Sequence, residues 1–391
     1  MTLAVRTITP EEHRAFLREQ PSVSFLQTPA WGVVKSDWRS QSIGWVRRSA
    51  GQEHGDGGSL AGVGLVLLRK LPGMRRFLAY LPEGPVLDWA TDDLGAWLRP
   101  MAEHLRGLGC FAVRIGPPVV TRCWDAAAVK EGIADPGVRT LGDLPASATS
   151  PTGARVVDQL AALGWRLSAG DGGGFALGQP RYNFQIPLTG RTADDVLAGM
   201  NQLWRRNIKK AAKAGVVVST GSTDGDGSTS TDSLRAFHDL YVRTAERDRF
   251  TPRPLAYFEA MFRALNAEQP GRVTLYLACH ESDLVAATVA VRVGGHVWYS
   301  YGASSTEKRE VRGSNAVQWA MIRDALAAGA DVYDLRGITD TLDADDPHAG
   351  LIQFKVGTGG QAVEYAGEWD LPLQPLLYKA FSIYLSRRPG S

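Results

Sequence analysis

Apolar and polar positions along the chain repeat with two periods, and the switches between them mark its elements. Thr9-Pro10-Glu11-Glu12 has the chemistry of a helix start, with Thr as N-cap and Pro at the first helical position, and predicts a helix to about Gln20. Thr28-Pro29 opens a second helix that sets Trp31 and Lys35 one turn apart on one face. Strand-like runs follow at 42–48, 60–70 and 77–82, the first two separated by the Gly-rich turn Gly51–Gly58. Two prolines and a glycine then fix the loop Pro82–Trp89, which presents Asp88. A helix at about 91–108 precedes Phe111–Ile115, whose unbroken apolar character reads as a buried strand apart from Arg114. Residues 120–160 are irregular, with a helix at about 155–163, and Gly170–Gly174 is a break in composition.

A second unit begins beyond that break. Asn183–Leu188 reads as a short strand, and Thr192 caps a helix running through Trp204 to Lys213, closed by Gly215. Val216–Ser219 reads as a strand, and Ser219–Ser230 is a low-complexity Gly/Ser/Thr/Asp loop. Amphipathic helices at about 231–248 and 254–267 lead to a hairpin (Arg272–His280, Asp283–Val293), a third strand at Val297–Tyr301 and a helix opened by Arg312-Gly313-Ser314. Val332, Leu335 and Ile338 mark a further strand, which breaks into a loop carrying four Asp and a Pro. Leu351–Lys355 reads as that strand resuming, Glu364–Asp370 as another, and Pro372–Leu385 as a terminal helix. Both halves thus run helices, antiparallel strands, helix, further strand. The expected class is α/β (α+β), with two mixed central sheets.

Composition narrows the picture. With 391 residues, 44% hydrophobic and 21% charged, the chain has material for two or three cored domains. A net charge of +2 is too small to mark a nucleic-acid binder as a whole, so such a role needs a local patch. Cys110, Cys123 and Cys279 share no ligand spacing, and their odd number speaks for a reducing cytoplasm. No leader-like apolar segment opens the chain and no run of about 18 apolar residues occurs, so a soluble protein is expected, one that is still able to work against a membrane surface.

One local patch stands out. Arg205, Arg206, Lys209, Lys210 and Lys213 place five cations on one helix with no acid among them, which suits a phosphate-rich partner such as RNA. The turn Glu310–Asn315 precedes a helix N-terminus and is similar to the acyl-CoA loop of GNAT acetyltransferases, but Glu310 would oppose a pyrophosphate. The seven His are scattered and the loop aspartates lack the EF-hand pattern, so no metal is expected. Lys355 stands beside Phe354 in a segment flanked by Gly350, Gly357 and Gly359, where another chain or a ligand can approach the backbone.

FLQTPAWGVVKSDW, GPVLD, WRRNIKKAAKAGV, ERDRFTPRPLAYF, VWYSYGASS, NAVQWAMIRDAL, YDLRGI and FKVGTGG together span nearly the whole chain, and in this order they resemble the Fem family of non-ribosomal peptidyltransferases (FemA, FemB, FemX and the VanK-like relatives). The resemblance implies tandem GNAT-like domains, here 1–178 plus about 361–391 for the peptidoglycan precursor and 179–360 for the acceptor end of an aminoacyl-tRNA. It implies transfer of an amino acid, glycine first, to the stem-peptide amine of lipid II or UDP-MurNAc-pentapeptide, without a cofactor, by a cytoplasmic monomer that touches the inner membrane face. Lys35 and Arg253 would grip the precursor's diphosphate, Tyr257, Tyr299 and Tyr301 would line its groove, and Asp88 would stand near the acceptor. Phe354 and Lys355 would meet the tRNA end, Lys355 steadying an oxyanion or a phosphate. Residues 219–230 are too short for the coiled-coil arm of FemA and FemB, which points to the compact FemX type and loads tRNA contact onto the 205–213 helix. Housekeeping and glycopeptide-resistance roles both fit. An acetyl-CoA-dependent acetyltransferase and a non-catalytic tRNA- or precursor-binding protein are the competing readings.

Overall fold

The computed structural model describes residues 2–48, 58–168, 178–222, 229–343 and 345–386. The chain opens with β1 (Thr2–Thr7) and α1 (Pro10–Arg18), whose Thr9 and Glu12 form the reciprocal capping box that their spacing calls for. α2 (Pro29–Val34) leads into the meander β2 (Arg39–Arg48), β3 (Leu60–Lys70) and β4 (Phe77–Leu81). Next come α3 (Gly95–Gly107) and β5 (Cys110–Ile115). The irregular segment holds β6 (Val120–Asp125), α4 (Ala126–Ala134), β7 (Ala148–Thr149), α5 (Pro151–Ala162) and β8 (Arg166–Leu167). The expected glycine break at 170–174 lies outside the described residues, as does most of the low-complexity loop.

The second half runs β9 (Tyr182–Pro187), α6 (Ala193–Gly199), α7 (Gln202–Lys213), β10 (Val217–Thr220), α8 (Thr231–Asp248) and α9 (Leu255–Glu268). It continues with β11 (Val273–His280), β12 (Asp283–Val293), β13 (His296–Ser304), α10 (Gly313–Ala327), β14 (Val332–Ile338), α11 (Ala349–Val356), β15 (Gln361–Tyr365), β16 (Trp369–Pro372) and α12 (Pro375–Ser386). The single helix expected over 192–213 is two, because Asn201 caps the second one by accepting from the Trp204 N–H.

Two mixed sheets form, as the alternation of elements predicts. The first has the order β1-β2-β3-β4-β5-β16-β8 and the second β10-β11-β12-β13-β14-β9-β15-β6-β7. Two strand assignments differ from the sequence reading. β15, at 361–365, is grouped by order with the first unit but is inserted between β9 and β6 of the second sheet. β6 and β7, from the 120–160 segment, lie at the end of that same sheet. Leu351–Lys355 is also not a strand. Ile352, Lys355 and Val356 are buried at positions i, i+3 and i+4, which is helical spacing, and the segment is α11.

Each sheet contains one parallel pair, β4–β5 in the first and β13–β14 in the second. The second pair is joined only where His296–Trp298 meets Val332–Asp334. Beyond that point β13 runs on to Ser304 against β12 and β14 to Ile338 against β9, and the two part from each other. A register shift between Asp334 and Gly337 against β9, with Arg336 at φ 63°, turns β14 away. One core is common to both halves: Phe25, Trp31 and Leu65 pack with Phe237, Phe258 and Trp298. The C-terminal ends of both parallel pairs therefore converge on a single cleft.

Candidate active site

Two cavities occupy this cleft and share Gln179 and Arg336 as a wall. The first, of about 220 Å³, is lined by Trp31, Lys35, Trp38, Arg253, Tyr257 and Tyr301, among others. Lys35 is the C-cap residue of α2, and its Nζ lies 5.5 Å from the Trp31 ring centre and 5.8 Å from that of Tyr257. The Arg253 guanidinium covers the same Tyr257 ring at 5.5 Å. Tyr257 and Tyr301 exchange a hydrogen bond at 3.0 Å that fixes both hydroxyls. Burial, and then the like charge of Arg253, lower the Lys35 pKa. Neither cation has a carboxylate at ion-pair distance among the described residues. Two cations that repel each other across an aromatic slot, with the buried Ser300 Oγ unpartnered on its wall, make a site for a polyanion such as a diphosphate.

The second cavity, of about 250 Å³, has the opposite chemistry: Glu83, Asp334 and Glu368 line it together with Arg336. The Arg336 guanidinium donates to Glu83 Oε1 at 2.7 Å and to Gln179 Oε1 at 2.8 Å, so it belongs to both cavities at once. Asp334 is 1% exposed and accepts from Gln185 Nε2 and from the Arg336 N–H, with His296 Nε2 at 3.2 Å. Burial pushes its pKa up, but the hydrogen bonds and nearby cations outweigh that and hold it below the usual aspartate range. Glu368 accepts from the Tyr80 hydroxyl and from the Gln179 N–H, and Arg114 is 3.8 Å from its other oxygen. For Glu368 burial wins, and the pKa rises to about 7. A carboxyl so poised at a cavity wall can take and return a proton near neutrality.

The structure brings Lys35, Arg253, Tyr257 and Tyr301 together and leaves the other expected residues off both walls. Tyr299 is on the opposite face of β13 from Tyr301, against the second-sheet core, where burial raises its pKa to about 12. Asp88 is exposed, and its carboxylate accepts from the Ala90 N–H to close its own turn. Phe354 packs on Trp204 at 4.7 Å between ring centres, and the Trp204 indole donates to the Phe354 carbonyl.

Lys355 corrects the expectation of a lysine that meets substrate at a rim. It is 3% exposed, because helical spacing turns it inward, and its Nζ donates to Gly337 O at 2.6 Å and Arg336 O at 3.2 Å. Burial lowers its pKa to about 7. The amine thus clamps the carbonyls of the left-handed Arg336 turn from behind β14.

Of the basic patch on α7, Arg206, Lys209, Lys210 and Lys213 are exposed, while Arg205 is partly covered and donates to Ala198 O. The sequence reading passes over Glu83, Gln179, His296, Asp334, Arg336 and Glu368. A signal existed for two of them: Asp334 and Arg336 stand two apart in an otherwise apolar strand, the spacing that directs two side chains to one face. Among the described residues, no group of three or more His, Cys, Asp or Glu is arranged to hold a metal ion.

Comparison with known proteins supplies a family and a fold. The FemAB family model matches residues 8–283 and 277–385. The lipid II:glycine glycyltransferase of Staphylococcus aureus is 24% identical over 445 residues, covering 95% of this chain and 93% of its own. That of Staphylococcus epidermidis is 24% identical over 439 residues with the same coverage. A crystal structure of FemX superposes with a TM-score of 0.75 at 22% identity, over 96% of this chain and 99% of its own. A tandem GNAT protein from the clavulanic acid biosynthesis pathway matches at a TM-score of 0.52 and 13% identity, over 95% and 98%. These two structures show a mixed α/β, GNAT-like fold.

Proposed function

The chain belongs to the FemAB family, and we propose that it transfers glycine from glycyl-tRNA to the amine on the third stem-peptide residue of lipid II. The observation that carries this reading is the pairing of an anion-binding cavity with a carboxylate-lined one across Arg336. Lys35 and Arg253 would hold the diphosphate, with Tyr257 and Tyr301 shaping the slot beside it. The stem peptide would pass Arg336 and bring its amine, in the neutral form that can attack, into the second cavity beside Glu368.

The chemistry is aminolysis of an ester. Glu368 would accept a proton as the amine nitrogen attacks the glycyl carbonyl and the C–N bond forms. The tetrahedral oxyanion would face Arg336, the cation common to both cavities. On collapse the bond to the ribose oxygen breaks, and Glu368 returns the proton to that oxygen. The ester is already activated, so orientation and charge supply most of the acceleration. Lys355 acts one step back, holding the backbone that aims Arg336. The exposed cations of α7, on the helix that packs against Phe354, suit the tRNA phosphates. Glu310 is exposed next to the start of α10 and opposes a coenzyme pyrophosphate there, which weighs against an acetyl-CoA reaction.

Incubation with lipid II and a mixed pool of charged tRNAs, followed by mass spectrometry, should yield precursor heavier by one glycine residue. Replacing the exposed Arg206, Lys209 and Lys213 by Gln should weaken tRNA binding and flatten its salt dependence. Absence of a glycine adduct overturns the reaction, and an unchanged slope of log K against log salt removes α7 from the tRNA contact.

A further inference from the structure

We propose that the tip of the β3–β4 hairpin and the outer face of α12 form a docking surface for an anionic phospholipid bilayer. The first observation is apolar exposure. Leu376 is 87% exposed, Met74 50% and Ile383 43%, three of the few large apolar side chains left in water by a chain with well-filled cores. They belong to one region. Leu71 of the hairpin tip and Leu377, Tyr378 and Phe381 of α12 pack around the same small cluster of Leu78, Phe111 and Ala112. Phe381 meets Phe111 edge-on at 5.3 Å, and the Tyr378 hydroxyl donates to Asp370 at 2.7 Å. With those three side chains turned inward, Leu376, Lys379 and Ile383 form the stripe that α12 turns outward.

The second observation is charge. Arg69, Lys70, Arg75, Arg76 and Lys379 are exposed in these two segments, and neither residues 69–77 nor residues 375–386 contain an Asp or Glu. None of the five cations forms an ion pair among the described residues. Apolar side chains within a one-signed basic rim complement acyl chains beneath anionic head groups. The α12 helix has 12 residues, about 18 Å of length, too short to cross a bilayer but suited to lying in its surface. Among the described residues, no helix is long and apolar enough to span a membrane.

The third observation is position. Leu67 of β3 lines the cavity of Lys35 and Arg253, and Arg69 lies over Trp38, another wall residue, at 5.6 Å. From Leu67 the strand reaches Leu71 in four residues, about 13 Å. A bilayer docked at the hairpin tip would therefore present the phosphate of a lipid-linked molecule within reach of the dication site. Only this purpose rests on the transferase reading; docking itself does not, so the two are measured separately.

The full chain should co-sediment with phosphatidylglycerol vesicles, far less with phosphatidylcholine vesicles, and the difference should shrink as salt rises. Each of Arg75→Gln and Arg76→Gln should weaken binding about fivefold. Met74→Asp with Leu376→Asp should weaken it at least tenfold while leaving thermal unfolding unchanged, since both side chains are exposed. Equal binding to both vesicle types, or full binding by both sets of variants, overturns the proposal. A change in oligomeric state with unaltered vesicle binding does so too, assigning the surface to a second copy. Vesicle binding without any glycine adduct leaves the surface standing and overturns the reaction alone.

Discussion

The two cavities on either side of Arg336 are nearly equal in size and opposite in chemistry. One places two cations, without an ion-pair partner among the described residues, over tyrosine and tryptophan rings; the other is lined by three carboxylates and one guanidinium. In the first, the like charge of Arg253 bears on Lys35 and Asp37 counters it only in part. In the second, every charge already has a partner, and burial tunes one carboxyl to about 7. Unpaired charge makes a site that grips, whereas paired and buried charge makes one that exchanges protons. Arg336 touches both because its left-handed backbone shifts the register of β14 against β9 and turns it from β13 where the parallel pair parts.

The largest effect should come from breaking the proton side of this contrast. Glu368→Gln keeps the shape but removes the titrating group, and kcat should fall about 10³-fold, within the range of general acid–base catalysis. In the wild type kcat should rise with pH through about 7, because Glu368 accepts a proton only when ionised. Persistence of that inflection in the variant would move the base elsewhere.

A smaller effect should follow on the gripping side. Lys35→Met or Arg253→Met removes one charge-assisted contact, worth about 1.5–3 kcal/mol, so the precursor KM should rise roughly 10–100-fold with kcat little changed. A fall in kcat at constant KM would show that the two cavities are not divided as described.

Lys355→Met should be the mildest and the most discriminating. It touches neither cavity, so the precursor KM should hold while kcat drops about tenfold as Arg336 loses its aim. Stability should fall by about 1–3 kcal/mol, since two backbone carbonyls lose their donor. The lysine's folded pKa of about 7 lies below its unfolded value of 10.5, so the unfolded chain binds the extra proton between them. Burying the amine therefore costs most below pH 7, and wild-type stability should gain on the variant as pH rises from 7 towards 10. Parallel stability curves across that range would mean that Lys355 is not buried in the neutral form.

These particular residues also divide what the chain states locally from what it does not. By itself the sequence determined the elements with strong periodicity and end signals: the capping box of α1, the amphipathic α8 and α9, the hairpin of β11 and β12, and the mixed sheet architecture. The grouping of Lys35, Arg253, Tyr257 and Tyr301 is expected from the family resemblance of their motifs rather than from local pattern, and the structure lines one cavity with all four. Tertiary structure alone decided that β15 enters the second sheet, because partner choice depends on hydrogen bonds to strands more than a hundred residues away. It turned a short apolar run into α11, because a run of that length satisfies either period until burial selects one. It also turned Lys355 inward onto the Arg336 and Gly337 carbonyls and buried Glu368 at a cavity wall, moving both pKa values to about 7. The same side chains in water would be an ordinary cation and an ordinary anion, and only the dielectric and partners supplied by distant segments change that.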